Sequence, residues 1–500
     1  MKLNSLNRSA YLYPLLVLVL SFAIYFPFYG SPSAMFWDEN YHIASAQKHL
    51  DGVMYMEPHP PLGKMLMAVG EQLFGGNAAL DKSALNRTDY LKGEEMPTGM
   101  NFTGWRWPST VMMLLSVLFF YGILNRITQK EWLAAGFSSL LIFDNALVVH
   151  ARAAMLEGIQ LFFVLAALYY CVRVITQKMY QHRAIKISDY AILGALIGAV
   201  IAVKINGFIL LLLFVMLYGV DQWDNIKNWR FPALIIRLCQ TAPTGVAAML
   251  IIFFGVFYIH IGMGKNIIDN RVYKASPEYI AQIRQGNTWS PSTFVIGMRD
   301  NFKYMSEYAD GVPRLDECKV GENGSFAMDW TLGKKTISYR WDKVTNDGIS
   351  TVSYKYLVAN PIVWFSVLFG IILSSGLIMS RYVYGNGVKD TPLFYWICAF
   401  TGLYLAYMIA ILQIERVMYL YHYLVPLIFG MINLALVFTY IYRDEVITNN
   451  RHTLFNLGLF VALVMGVYAL FSPFTYSTGL TESQFELRNW FDIWKMQVVK

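Results

Sequence analysis

Eleven runs of mostly apolar residues constrain this chain more than any other feature, at 11–29, 108–125, 132–149, 153–175, 188–203, 205–221, 241–261, 361–380, 391–412, 417–441 and 453–472. A helix of about 20 apolar residues matches the ~30 Å hydrocarbon core of a bilayer. The runs therefore predict an all-α polytopic membrane protein with about eleven spanning helices. Composition agrees, since 15% of the residues are charged, against roughly a quarter in soluble domains. The first run follows Lys2 and Arg8 and exceeds the ~7–15 residues of a signal-peptide core, which predicts an uncleaved first span.

Charge orients these spans. The short links 126–131, 176–187, 222–240, 381–390 and 442–452 carry clustered Lys and Arg, including Lys130, Arg183, Arg237, Arg381 and Arg443. The positive-inside rule places them in the cytoplasm. Alternation then puts two long loops, 30–107 and 262–360, and a C-terminal tail, 473–500, outside, with the membrane domain over 1–472. From Ser188 to Val220 one continuous helix would be about 50 Å long, too long for one crossing. The chain is expected to turn at Lys204–Gly207, as two crossings or a re-entrant hairpin. Helix-like spacing at 41–48 and 64–74, broken by Pro58, Pro60 and Pro61, predicts short helices on the membrane surface. Short strands are expected near 336–341. Much of the +7 net charge lies in the links, so no basic stripe for nucleic acid is left. The four cysteines have neither a paired framework nor metal-ligand spacing, which predicts no structural disulfide and compels no metal.

Five polar clusters fall at the same end of the membrane in this topology. They are Asp38-Glu39; Glu57 with His59 and Lys64; Asp144 and Asn145 with His150, Arg152 and Glu157; Lys204-Ile-Asn-Gly207; and Arg416 with Tyr419, Tyr421, His422 and Tyr423. Each has a plain structural reading: a solvated loop start, a stiff proline loop, an Arg152–Glu157 ion pair, a snorkelling lysine, an aromatic belt. Random polar defects, however, would be spread over both faces. With Arg106 in Gly104-Trp-Arg-Trp107, the clusters supply paired carboxylates and cations on one side. Transfer of a group from a lipid phosphate needs that set. A carboxylate takes the proton of the acceptor hydroxyl, and cations hold the phosphate as its charge grows. Phosphate leaves without protonation, so one base suffices, whereas glycosidases need two carboxyl groups.

At these residues the chain resembles the protein O-mannosyltransferase family, which uses polyprenyl- or dolichyl-phosphate mannose and has the GT-C membrane fold. Trp37-Asp-Glu39 followed by His59-Pro-Pro-Leu-Gly-Lys64 is similar to that family's most recognisable signature. Further similar stretches occur in family order over roughly residues 35–430. They are Asp144-Asn through Ala151-Arg, Met155-Leu-Glu157, Val203-Lys204 with Gly207, Asp329-Trp-Thr-Leu-Gly-Lys334, Tyr339-Arg-Trp341, Leu357-Val-Ala-Asn-Pro361, and Arg416 with Tyr421-His-Tyr-Leu424. The resemblance implies eleven spans, Asp38 as catalytic base and Glu39 as its partner in positioning acceptor or sugar. It implies Arg106, Arg152, Lys204, Arg416 and His422 at the donor phosphate and sugar, supported by His59, Lys64, Asp144, Glu157 and Tyr421.

Two departures stand out. Glu157 occupies a position where the family usually has Asp. The 262–360 loop lacks the MIR domains of fungal and animal members, which points to a prokaryotic inner membrane with the site on its extracytoplasmic side. The implied partners are a polyprenyl-phosphate sugar, most expectedly mannose, and a hydroxyl acceptor. The lipid-linked sugar is a substrate and not a cofactor, and a divalent metal at the phosphate is left open. The acceptor is Ser or Thr of exported proteins or, alternatively, a lipid, as in the related aminoarabinose transferases of lipid A. The alternative from another class is a transporter or flippase using Asp144, Arg152 and Glu157 as a charge relay. That would require charges near the midplane, with repeats and broken helices.

Overall fold

The computed structural model describes residues 9–268, 273–346 and 349–499. In chain order its main helices begin with α1 (Ser9–Tyr25), then α2 (Glu39–Leu50) and α3 (Leu62–Phe74) in the first long loop. Next come α4 (Thr103–Thr128), α5 (Glu131–Ile142), α6 (Asn145–Ala151), α7 (Leu156–Gln181), α8 (Ile187–Val203), α9 (Leu212–Asp221) and α10 (Phe231–Met263). The second long loop holds α11 (Pro277–Arg284), α12 (Pro291–Gly311) and the strands β1 (Ile337–Asn346) and β2 (Ile349–Leu357). The chain ends with α13 (Pro361–Tyr382), α14 (Thr391–Leu412), α15 (Leu424–Ile441), α16 (Arg451–Tyr476) and the short strand β3 (Gly479–Leu480).

Each of the eleven predicted runs overlaps a helical segment, because an apolar stretch in lipid must satisfy its backbone within itself. Among the described residues seven helices are long and apolar enough to cross a bilayer, and the α5–α6 pair, bent by 64°, makes an eighth if it is one span. The segments Tyr11–Tyr25, Ile187–Val203 and Ile205–Asp221 are apolar but shorter.

The expected break at Lys204 is present. Lys204 is extended (φ −155°, ψ 131°), a 3-10 turn over Ile205–Leu211 comes next, and α9 continues from it. A Cβ at Gly207 would fall 2.4 Å from a Val200 methyl, so only glycine lets this turn pack back on α8. Glycine also sets the α8–α10 contact, where a Cβ at Gly194 would lie 2.1 Å from the Gly245 carbonyl oxygen. Small residues allow helices in membranes this close approach.

The chain forms two compact units. The first-loop unit comprises residues 28–113 and 151–313, and the tail unit residues 1–27, 114–150 and 314–500. In the first-loop unit, buried Ile43, Met67, Trp105, Leu156 and Val203 form one core. A second core, with Ile261, Tyr279, Ile283 and Met298, lies beneath α11 and α12.

In the tail unit β1 and β2 form an antiparallel hairpin, longer than the expected strands, and β3 pairs with β2 through Val352 and Leu480. The helix α16 runs through Pro473 to Tyr476. The residues beyond it clamp the hairpin. The carbonyls of Ile493 and Trp494 accept hydrogen bonds from the backbone of Lys335 (2.9 Å) and Thr336 (3.0 Å). The Trp494 side chain is buried against Phe471 and Phe491. Truncating a buried large aromatic costs about 3–5 kcal/mol. Trp494→Ala should therefore free the hairpin locally, read as faster amide hydrogen exchange across 337–357. Parent-like protection there would show that the tail does not hold the sheet.

Candidate functional site

The candidate residues fall into the two units. In the first-loop unit, Trp37 adopts a left-handed backbone (φ 52°) and turns the chain into α2. Asp38 is the N-cap residue and is half-buried, whereas Glu39 opens the helix and is fully buried. Successive helical side chains diverge by about 100°, so the two acids have different surroundings. Glu39 Oε1 accepts from Arg106 Nε (2.7 Å) and the Ala154 amide (2.8 Å). Its Oε2 accepts from Arg106 Nη2 (2.8 Å) and the Phe36 amide (3.2 Å).

Arg106 donates its other hydrogens to the carbonyls of Gly30 (2.9 Å), Pro32 (2.8 Å) and Ala34 (2.8 Å). A guanidinium has five N–H donors, and all five are used here. It also lies between the Phe36 and Phe102 rings, 5.1 and 4.7 Å from their centroids. This geometry makes the pair structural in the structure described. Arg106 has no donor left for a phosphate, and Glu39 is a fully occupied structural carboxylate with no group left for acceptor or sugar. The pair ties the loop before α2 to α4.

Lys64 is fully buried and ion-paired to Glu57 (3.0 Å), which also accepts a hydrogen bond from Ser45. Burial lowers the Lys64 pKa, with Glu57 opposing that effect. His59 is half-buried beside this pair. Burial, helped by Lys64 and Lys204, holds its pKa well below the usual histidine value. It is thus neutral at pH 7 and offers one donor and one acceptor, not a charge.

Lys204 reaches Glu157 (2.5 Å), and Gln160 donates to both the Lys204 carbonyl (3.2 Å) and Asn206 (2.6 Å). Glu157 therefore has Lys204, from the turn after α8, as an ion-pair partner. Arg152 itself is buried in the turn that precedes α7.

In the tail unit, Asp144 is fully buried at the α5–α6 bend. It accepts from the Leu147 amide (2.9 Å), Trp364 Nε1 (2.9 Å) and the Asn360 amide (3.2 Å). Asn145 Nδ2 donates to the Tyr468 carbonyl (3.1 Å) and to Thr475 (3.0 Å). These bonds cap α6 and pin the bend to α13 and α16. Neutral donors around Asp144 and a lysine on Glu157 are not the charge relay a transporter would require.

A stack of rings stands beside this bend. His150 Nδ1 is 2.6 Å from the Tyr339 hydroxyl of β1, and the His150 ring stacks on Tyr421 at 4.9 Å. Tyr421 stacks on His422 at 4.6 Å, and His422 on Trp330 at 6.0 Å. His422 Nδ1 lies 3.0 Å from the Tyr419 carbonyl. The structure thus brings His150 of the third cluster, and Tyr339 and Trp330 of the family-like stretches, together with Tyr421 and His422. Nothing in the sequence pairs His150 with a residue 189 positions away.

Arg416 differs from the other cations. It is half-buried, its backbone bridges to Arg314, and Arg314 pairs with Glu415. Among the described residues its guanidinium makes no ion pair or hydrogen bond to protein. Its donors are therefore available to an anion. Among the described residues no group of three or more His, Cys, Asp or Glu side chains offers a metal site.

Two family sequence models match the chain. "Dolichyl-phosphate-mannose-protein mannosyltransferase" covers residues 15–262, and "C-terminal four TMM region of protein-O-mannosyltransferase" covers 313–494. The polyprenol-phosphate-mannose–protein mannosyltransferase of Mycobacterium tuberculosis is 23% identical over 256 residues, 50% of this chain and 38% of that protein. The like-named protein of Mycolicibacterium smegmatis is 22% identical over a 510-residue alignment, 93% of this chain and 89% of that protein. The chain spans about a third to two fifths of the length of the first curated relatives it matches. A solved structure, the S. cerevisiae protein O-mannosyltransferase Pmt1-Pmt2 complex bound to the sugar donor, has a TM-score of 0.82 at 14% identity. The match covers 99% of this chain and 93% of that one, a likeness of fold.

Proposed function

This chain belongs to the protein O-mannosyltransferase family and is an integral membrane protein of GT-C fold, and from that premise we propose that it is an inverting glycosyltransferase. It moves mannose from a polyprenyl-phosphate carrier to a hydroxyl, that of Ser or Thr in an exported protein. The reaction takes place on the extracytoplasmic side of a prokaryotic inner membrane, the side that the basic links leave for the long loops.

One observation carries this reading. Of two adjacent acids, Glu39 is fully buried and locked by Arg106 and two amides, while Asp38 is the half-buried N-cap residue of α2. Asp38 takes the proton of the acceptor hydroxyl as its oxygen bonds to the anomeric carbon. The bond to the phosphate breaks on the opposite side, and polyprenyl phosphate leaves with the electron pair. Arg416, whose guanidinium is open, holds that phosphate, and charge-assisted bonds there strengthen as charge develops. The family resemblance gives His422 a role in donor binding and Tyr421 a supporting one. Arg152 supports the sugar, and Lys204 is assigned to Glu157.

The direct test is transfer by the purified protein in nanodiscs, with radiolabelled polyprenyl-phosphate mannose and a Ser/Thr-rich peptide. Label on the peptide is the expected result. Label only on added glycolipid would favour the lipid-transferase alternative, and no transfer would reject the proposal.

The phosphate contact has its own test. Arg416→Ala should weaken donor binding roughly ten- to a hundredfold, about 1.5–3 kcal/mol, with unchanged thermal unfolding. Unchanged donor affinity would move the phosphate away from Arg416.

A further inference from the structure

We propose that α12, the amphipathic helix of the second long loop, lies flat in the membrane surface with Val295 and Phe302 set among the lipid acyl chains. The observations all fall within the first-loop unit and do not depend on the transferase reading. The helix α10 has 33 residues and is a candidate span. It is therefore about 50 Å long and overshoots a ~30 Å core.

Crossing geometry places α12 relative to it. Phe294 and Phe302 are separated by about 12 Å along α12, at 1.5 Å per residue. The Phe294 ring meets Phe254 (6.4 Å) and Tyr258 (5.6 Å), and the Phe302 ring meets Phe253 (6.3 Å) and Phe257 (6.0 Å). Both contacts thus fall at one level of α10. A helix running along α10 would spread them over about 12 Å of it. α12 instead crosses α10 steeply, and a helix that crosses a span steeply lies near the membrane plane.

The exposed face of α12 is apolar where lipid would meet it. Val295 is 65% and Phe302 43% exposed, and a spacing of seven residues puts them on one face. That face continues a stripe on α10, where Ile251, Phe254 and Ile259 are exposed on a candidate span and so face lipid. Phe294 packs directly on Phe254 of that stripe. Just before α12, Trp289 packs on Tyr258 (5.6 Å), whose hydroxyl donates to the Trp289 carbonyl (2.7 Å). Tryptophan favours the headgroup level, where one edge of the ring is wet. Arg299 and Lys303 follow the apolar pair around the helix, with Arg299 paired to Glu278 and Lys303 to Glu307. Charged side chains flanking an apolar stripe are the pattern of a helix lying in the interface.

The test uses the full chain in nanodiscs, in a background with Cys239, Cys318 and Cys398 replaced by serine. Spin labels are placed through Val295→Cys, Phe302→Cys and, as a control, Lys303→Cys, each checked for parent-like thermal unfolding. Collision rates with oxygen, which partitions into acyl chains, are compared with those of a water-soluble nickel chelate. The expected oxygen-to-nickel ratio is several-fold higher at 295 and 302 than at 303. Equal ratios at all three sites would place α12 in water and overturn the proposal. Low collision rates with both reagents at 295 and 302 would overturn it in favour of protein cover, by an acceptor or a second copy of the chain.

Discussion

Asp38→Asn is expected to lower turnover by about 10²–10⁴, the usual worth of general-base catalysis, with donor affinity nearly unchanged. Asparagine keeps the size of the side chain and most of its hydrogen bonding but cannot take a proton. The structure sharpens the expectation, because the adjacent acid has no capacity to substitute. Both Glu39 oxygens are occupied, and its side chain is fully buried. Lys64 and Lys204 are each paired to an acid of their own. Turnover and donor binding, measured on one preparation in nanodiscs, separate the chemical step from recognition. Transfer at near the parent rate would remove Asp38 as the base and the proposed mechanism with it.

Breaking the neighbouring pair should act on folding instead. Glu39→Ala leaves the Arg106 guanidinium fully buried with its counter-charge gone. Removing one partner of a buried ion pair costs about 3–5 kcal/mol, against a total stability of roughly 5–15 kcal/mol for a domain. Arg106→Ala should be at least as damaging, because three carbonyls of the loop before α2 lose their donor as well. The expected readout is a large fall in the unfolding midpoint or loss of folded protein, with activity lost as a consequence. Arg106→Lys should rescue poorly, since an ammonium has three donors and cannot reproduce the planar fork. The assignment fails if Arg106→Ala folds with parent stability and is impaired only in donor binding. That outcome would return Arg106 to the phosphate, where the family resemblance places it.

The contrast between these two acids shows what a local reading reaches. Asp38 and Glu39 stand out in the sequence as adjacent carboxylates after an apolar run, and helix geometry already requires them to diverge. Which of them meets Arg106 does not follow from that, because Arg106 lies 67 residues away and arrives through the packing of α4. Glu157 is a similar case. Its ion-pair partner Lys204 lies 47 residues on, brought beside it by the α7–α8 packing and the turn after α8.

Local composition by itself determined the helical segments and the break at Lys204. A backbone in lipid must satisfy its hydrogen bonds within its own segment, so the length and apolarity of a run are enough to define it. The strands near 336–341 were also legible, but the tail that completes their sheet was not. Its Trp494 packs on residues of distant segments, and strand pairing between them leaves no local period to read. Only the tertiary structure decided which polar side chains are spent on one another and which remain for chemistry. A buried charge takes the counter-charge nearest in space, and folding, not sequence distance, sets that neighbour.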